Sequence, residues 1–322
     1  MDPQNFSFPA EYPCRYLMDD PMYITVHILP FSSKNIEKLL NLWAFSTLYF
    51  IGIFLNLVVI VVICLDAHLH SPMYVFFCNL SSIDICYTTV VIPNLLYMLL
   101  SGDDLLSVTQ CFSQMYGYML CASAEVILLF VMWFDRYVAI CHPFSYHQMF
   151  QSNKCILTVV IIWICAFLNS SLLLRSLLTL SFNEVVSIRN FFCDTLDVFK
   201  ASCGGSREFT LIVYVELVLL GFLPFLCNFL SYVSIFRVIL HMKSKEGRRK
   251  TLSTCLSHLT VMAIYYSVGS VVYLMPFSGH TELLKQILSV FYVIIVPTIN
   301  PIIYSLRNKE IITACQKLMK IS

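Results

Sequence analysis

The amino-acid sequence predicts an all-α membrane protein: a bundle of seven transmembrane helices followed by a short interfacial eighth helix on the cytoplasmic side. Three observations carry this reading. The 322 residues are 58% apolar and only 12% charged, with a mean hydropathy of +0.78, which is too greasy for a soluble globular domain. Seven predominantly apolar stretches each reach the length of about 20 residues that a helix needs to cross a bilayer. The strand-like alternation in units of about ten residues that marks an outer-membrane barrel is absent from the sequence.

The stretches run from Leu39 to Leu65, Met73 to Leu100, Gln110 to Ile140, Cys155 to Leu180, Phe209 to Leu240, Leu252 to Phe277 and Leu283 to Leu306. They divide the chain into an extracellular tail (1–38), a membrane domain (39–306) and a cytoplasmic tail (307–322). Basic residues set the orientation. With the amino terminus outside, 12 of the 20 Lys and Arg fall on the inner side, and Arg237, Lys243, Lys245, Arg248, Arg249 and Lys250 crowd into one inner segment. That segment reads as a solvated loop, too short a patch beside a membrane for nucleic acid. Met1 to Tyr12 has neither a basic start nor an apolar core, so the first span is expected to direct insertion. In the tail, Asn5-Phe6-Ser7 fits the N-glycosylation pattern on the predicted outer side.

Prolines punctuate several spans. Pro93, Pro224, Pro297 and Pro301 remove backbone hydrogen bonds inside apolar runs and invite kinks. In the third span Tyr118, Ala122, Glu125, Leu129, Met132 and Arg136 share one helical face, a stripe of roughly 27 Å between its ends. At the inner end of that stripe Asp135 and Arg136 stand side by side, an ion pair able to hold the guanidinium until a competitor takes it. Asp84, Glu125 and Glu216 are carboxylates within spans, where burial without a partner is costly, so a polar network holding a cation in mid-bundle is expected for the first two. Glu216 falls about 160° from Tyr232 on an ideal helix, and both face the bundle only if Pro224 or a bulge rotates the turn. Facing inward, it would pair with an amine. After the seventh span, Ile311, Ile312, Cys315, Leu318 and Met319 recur at helical spacing, as in an interfacial helix.

Fourteen cysteines suggest a disulfide scaffold until they are placed, because most fall within spans or on the inner side. Cys14, Cys111, Cys193 and Cys203 face the oxidising side. A bridge between Cys111 and Cys193 would pin the long loop over the bundle mouth. No Cys/His grouping has zinc spacing. His68, His70, His142, His147 and His258 form no catalytic set, which argues against a membrane enzyme, and the lack of an internal repeat argues against a transporter.

Several long motifs then occur in order: Ser71-Pro72-Met73-Tyr74, Asn79-Leu80-Ser81-Ser82-Ile83-Asp84, Phe134-Asp135-Arg136-Tyr137-Val138-Ala139-Ile140-Cys141-His142-Pro143, Ser231-Tyr232, Ser253-Thr254-Cys255-Leu256-Ser257-His258-Leu259, and Pro297-Thr298-Ile299-Asn300-Pro301-Ile302-Ile303-Tyr304. With these the chain resembles the vertebrate olfactory (odorant) receptors of the rhodopsin-like G-protein-coupled class, over nearly all of 39–320. The resemblance implies an inner lock at Asp135 and Arg136, with Tyr137, Tyr232, His258, Asn300, Pro301 and Tyr304 in the switch and G-protein-coupling set. It also implies a sodium- or water-binding centre at Asp84 and Glu125 and a Cys111 to Cys193 disulfide.

For the outer half of the bundle, the resemblance implies a pocket for a small volatile odorant. Its expected walls are Tyr118, Met119, Ala122 and Ser123 of the third span, Glu216 and Leu220 of the fifth, Tyr266, Ser270 and Tyr273 of the sixth and Val293 of the seventh. The implied partner is a heterotrimeric stimulatory G protein that raises cyclic AMP from the plasma membrane, with no cofactor beyond sodium. A receptor for a small amine or other metabolite is the nearest alternative. Three departures from the family pattern stand out: Asn183 where a loop cysteine is usual, leaving Cys203 without its expected partner or paired elsewhere, as with Cys14; Leu55 before Asn56 in place of glycine; and Trp133-Phe134 before Asp135.

Overall fold

The computed structural model describes residues 14–16, 24–28, 35–241, 244–274, 282–306 and 309–321. Asn5 lies outside them, as do the side chains of His258, Ser270 and Tyr273. Seven long helices form the bundle: α1 Asn35–Leu65, α2 Pro72–Ser101, α3 Val108–Cys141, α5 Ser152–Leu178, α7 Arg207–His241, α8 Lys245–Leu274 and α9, residues 282–306. Two short helices join them, α4 Pro143–Met149 and α6 Thr195–Lys200, and α10 Lys309–Ile321 follows the bundle. Among the described residues six helices are long and apolar enough to cross a membrane. The remaining one, α8, spans 30 residues but opens on Lys245, Arg248, Arg249 and Lys250, so the basic segment expected as a loop is helical from Lys245 on.

Local chemistry sets the helix ends. Ser107 and Gln110 exchange reciprocal hydrogen bonds in a capping box that starts α3. Gly102 ends α2 in the left-handed region at φ 74°, its N–H donating to the Met98 carbonyl. Against α9, α1 comes so close at Gly52 that an added Cβ would sit 2.8 Å from Thr298 Oγ1. The Asn56 amide fixes the same seam by donating to the carbonyls of Gly52 and Pro297, 3.0 Å each. Outward faces of α1, α5 and α7 are strongly apolar, with Trp43, Phe54, Leu168, Leu211 and Phe229 all more than half exposed. Water tolerates such belts poorly, whereas lipid suits them.

Two helices contain a turn of π-helix. In α7 it covers Leu217–Phe222, directly after Glu216, and in α9 it covers Phe291–Ile295. Each inserts extra rotation, so residues beyond it no longer follow the ideal helical phase.

At one end of the bundle the tail is woven into the loops, a feature outside the all-helical expectation. β1 Arg15–Tyr16 pairs antiparallel with β4 Ser181–Phe182. β2 Thr25–Ile28 lies between β3 Leu105–Ser107, antiparallel, and β5 Val185–Ile188, parallel, in register Thr25 to Val185 through Ile28 to Ile188. Alternation decides which face of β2 is inside: Ile24, Val26 and Ile28 are buried while Thr25 is exposed. Disulfides Cys111–Cys193 and Cys14–Cys203 tie this end. Cys14 has thus replaced the missing loop cysteine as partner of Cys203, and Asn183 Oδ1 rests 3.4 and 3.2 Å from the two sulfurs.

At the opposite end α10 packs back on the bundle through buried Ile311, one of the residues read at helical spacing, and Ala314. The Tyr74 hydroxyl donates to Glu310 Oε2 at 2.7 Å and fixes the helix against α2.

Candidate functional site

Between α3, α5, α7 and α8, toward the disulfide end, lies a cavity of about 540 Å³. From α3 it takes Tyr118, Met119, Ala122 and Ser123, from α7 Glu216 and Leu220, and from α8 Tyr266, all expected from the sequence. Val293 is not among its walls. It lies within the π-turn of α9, fully buried in the apolar core. Thr195 and Leu196 of α6 and Leu173 of α5 line the cavity as well, and sequence reasoning missed them. A loop helix of six residues has no periodicity long enough to read.

Glu216 faces this cavity because of the π-turn. Tyr232, further along α7, is also buried in the bundle, so the bulge condition set by the ideal-helix phase is met by Leu217–Phe222. One carboxylate oxygen, Oε1, accepts a hydrogen bond from Asn169 Nδ2 at 2.8 Å, and the same amide donates to Ser123 Oγ at 3.0 Å. Asn169 is therefore a site residue, signalled only by being an amide in an apolar helix.

A latch of polar contacts holds α6, which lines the cavity, at the disulfide end. The Cys193 N–H donates to Gln114 Oε1 at 3.0 Å, next to the Cys111–Cys193 bridge. Lys285 of α9 bridges Asp194, at 3.3 Å, and Asp197 of α6, and Asn190 Nδ2 donates to Asp197 Oδ2 at 3.0 Å. Burial pushes the Asp194 carboxyl above its ordinary range, the Lys285 ammonium pulls it down, and Asp197 pushes it up again.

In mid-bundle Asn300 Nδ2 donates to both oxygens of Asp84 at 3.2 Å. Asp84 and Glu125 are both buried and within electrostatic range of each other. Ser81 Oγ and Tyr304 Oη share a hydrogen bond of 2.9 Å, and Tyr304 stacks on Phe77 at 4.6 Å. Pro301 sits within α9 directly after Asn300.

At the far end of α3 Asp135 is fully buried and Arg136 partly so. Arg136 Nε donates to Asp135 Oδ2 at 2.8 Å, and the Tyr146 hydroxyl donates to Oδ1 at 2.9 Å. Burial and the neighbouring carboxylate push the Tyr146 phenol up, which keeps it a proton donor. Tyr137 stacks on Trp133 at 6.0 Å, and Trp133 packs with Tyr232, Ile235, Ile239, Cys255 and Met262 in a small cluster joining α3, α7 and α8. The unusual Trp133 thus fills the contact through which α7 and α8 meet the Arg136 end. Tyr232 Oη is buried with no partner among the described residues.

This arrangement is a seven-helix bundle, and the fold matches squid rhodopsin with a TM-score of 0.67, covering 91% of this chain and 90% of that one at 15% identity. The family described as "Olfactory receptor" matches residues 45–321. Human olfactory receptor 8A1 is 35% identical over 316 residues, 96% of this chain and 97% of the relative. Gorilla olfactory receptor 1G1 is 36% identical over 91% of this chain and 93% of the relative, and rat olfactory receptor 1 is 35% identical over 85% and 87%. The chain belongs to the olfactory receptor family. It is accordingly a multi-pass membrane receptor for small ligands with a G protein as its partner.

Proposed function

We propose that a small volatile odorant occupies the cavity, that α8 then swings outward at its basic end, and that Arg136 leaves Asp135 to engage a stimulatory G protein, raising cyclic AMP. The observation that supports this most is the shared helix: Tyr118 at the cavity and Arg136 at the ion pair belong to one buried stripe of α3. A ligand that fits one arrangement of that stripe better shifts the population toward it. The disulfides favour an extracellular cavity end, and the basic start of α8 favours a cytoplasmic opposite end.

Asp84 and Glu125 fit a sodium ion as well as water. Both are oxygen donors in the protein interior, and Asn300 Oδ1 is buried beside them with no partner among the described residues. Bound there, a sodium ion would offset one of the two carboxylate charges and so relieve their repulsion.

The test is Arg136→Ala in transfected cells, scored for surface expression and ligand-stimulated cyclic AMP. Normal surface level with lost stimulation is expected; full signalling by this variant would refute the assigned switch.

A further inference from the structure

We infer that the cavity is built for a protonated amine with a compact apolar body, and that Glu216 is its anchor. The inference rests on reading the cavity as the ligand site and names the chemistry of that ligand.

Glu216 is the one carboxylate among the described residues that line the cavity, and no Lys, Arg or His lines it beside Glu216. Its protein partner there is a neutral amide. Asn169 occupies Oε1 and, through its second N–H, is itself held by Ser123. The amide therefore orients the carboxylate without compensating its charge. Oε2 has no hydrogen-bond partner among the described residues, and the cavity that Glu216 lines is otherwise mostly apolar.

Two features mark this as a placed group. A half-buried carboxylate in an apolar span with no compensating charge is costly, so the position would otherwise favour an apolar residue. The chain also departs from regular helix at Leu217–Phe222, immediately after Glu216, and the departure lets Glu216 and Tyr232 both face the bundle. Turns of π-helix are frequent at functional sites. Tyr118, Phe225 and Tyr266 line the same cavity, and aromatic rings attract an ammonium as well as its hydrocarbon portion. A carboxylate beside aromatic faces discriminates strongly between an ammonium and the hydroxyl of the same shape, because only the cation restores the missing charge.

The experiment compares linear and cyclic alkyl amines with the alcohols of identical skeleton, using cyclic AMP dose-response curves and surface labelling of the wild type, Glu216→Gln, Glu216→Asp, Asn169→Ala and the cavity-filling Ala122→Phe and Met119→Trp. On the wild type, amines are expected to outperform the matched alcohols. Glu216→Gln should weaken amines about 100-fold while leaving the alcohols within a few-fold, the loss that follows removal of a charge-assisted bond. Glu216→Asp should retain a reduced amine response, and Asn169→Ala should fall between.

Three results overturn the amine assignment: amines no better than alcohols on surface-expressed wild type, no amine response at all, or amine potency unchanged in Glu216→Gln. Failure of the cavity reading looks different. In that case Ala122→Phe and Met119→Trp, present at the surface, leave every response intact; if they abolish responses while Glu216→Gln spares amines, only the anchor is wrong.

Discussion

Tyr146 and Arg136 divide the two oxygens of one buried carboxylate: the phenol holds Asp135 Oδ1 at 2.9 Å while the guanidinium holds Oδ2. The loop helix α4 thereby sets the orientation in which Asp135 meets Arg136. Tyr146→Phe keeps the ring and removes this bond, and a hydrogen bond to a charged group is worth about 1.5–3 kcal/mol. Part of that loss falls on the arrangement in which the ion pair is closed. The variant should show basal cyclic AMP raised several-fold at equal surface level; an unchanged basal signal would mean that Tyr146 does not stabilise the closed pair.

The latch at the opposite end gives a second prediction. Lys285 and Asp194 are nearly buried, with side chains 12% and 6% exposed, and removing one partner of such a pair costs about 3–5 kcal/mol. Lys285→Met should release α6 from α9 and right-shift agonist dose-response curves by at least about tenfold, since Thr195 and Leu196 of α6 form a cavity wall. Lys285→Arg should recover most of the potency. Equal potency of Lys285→Met and wild type would remove the latch from ligand binding.

What was legible in the sequence, and what was not, divides along physical lines. The helices follow from apolar runs whose length the bilayer dictates, and α1 to α3 begin and end within a few residues of the expected bounds. The Asp135 and Arg136 pair follows from their adjacency in the sequence, and the structure forms it, whereas the Asn300 amide that reaches Asp84 is a tertiary contact the sequence did not announce. Periodicity fails where the helix stops being regular: with the π-turn in α7, Glu216, left ambiguous by the ideal-helix phase, lines the cavity while Tyr232 is buried in the bundle. Strands of two to four residues that pair across more than a hundred positions leave no local pattern, so the woven tail was invisible. Asn169 and Tyr146 act through tertiary contacts that no spacing announces.

Sodium supplies a third prediction. If Asp84 and Glu125 hold the ion, purified receptor should be more stable in sodium chloride than in choline chloride, by about 1.4 kcal/mol at ten times the dissociation constant. Asp84→Asn should abolish the difference, and so should Glu125→Gln. A sodium effect that persists in both variants would place the ion elsewhere.

The Cys14–Cys203 bridge yields the last prediction, and it tests how the tail is held. Removing a native disulfide typically costs about 2–4 kcal/mol, and this one joins residues 189 apart in sequence. Cys14→Ser should lower the surface level and leave Cys203 open to maleimide, whereas wild-type receptor digested without reduction should release the Cys14 and Cys203 peptides joined. Asn183 offers a rescue. Its side-chain oxygen lies 3.2 Å from the Cys203 sulfur, so the double variant Cys14→Ser with Asn183→Cys has a thiol in reach of Cys203 inside the loop. If the tail matters only as the supplier of a cysteine, the double variant regains both surface level and ligand potency. If β1 and β2 must also be held against β4 and β5, the loop bridge restores surface level while potency stays reduced. Free Cys203 in wild-type receptor would contradict the pairing itself.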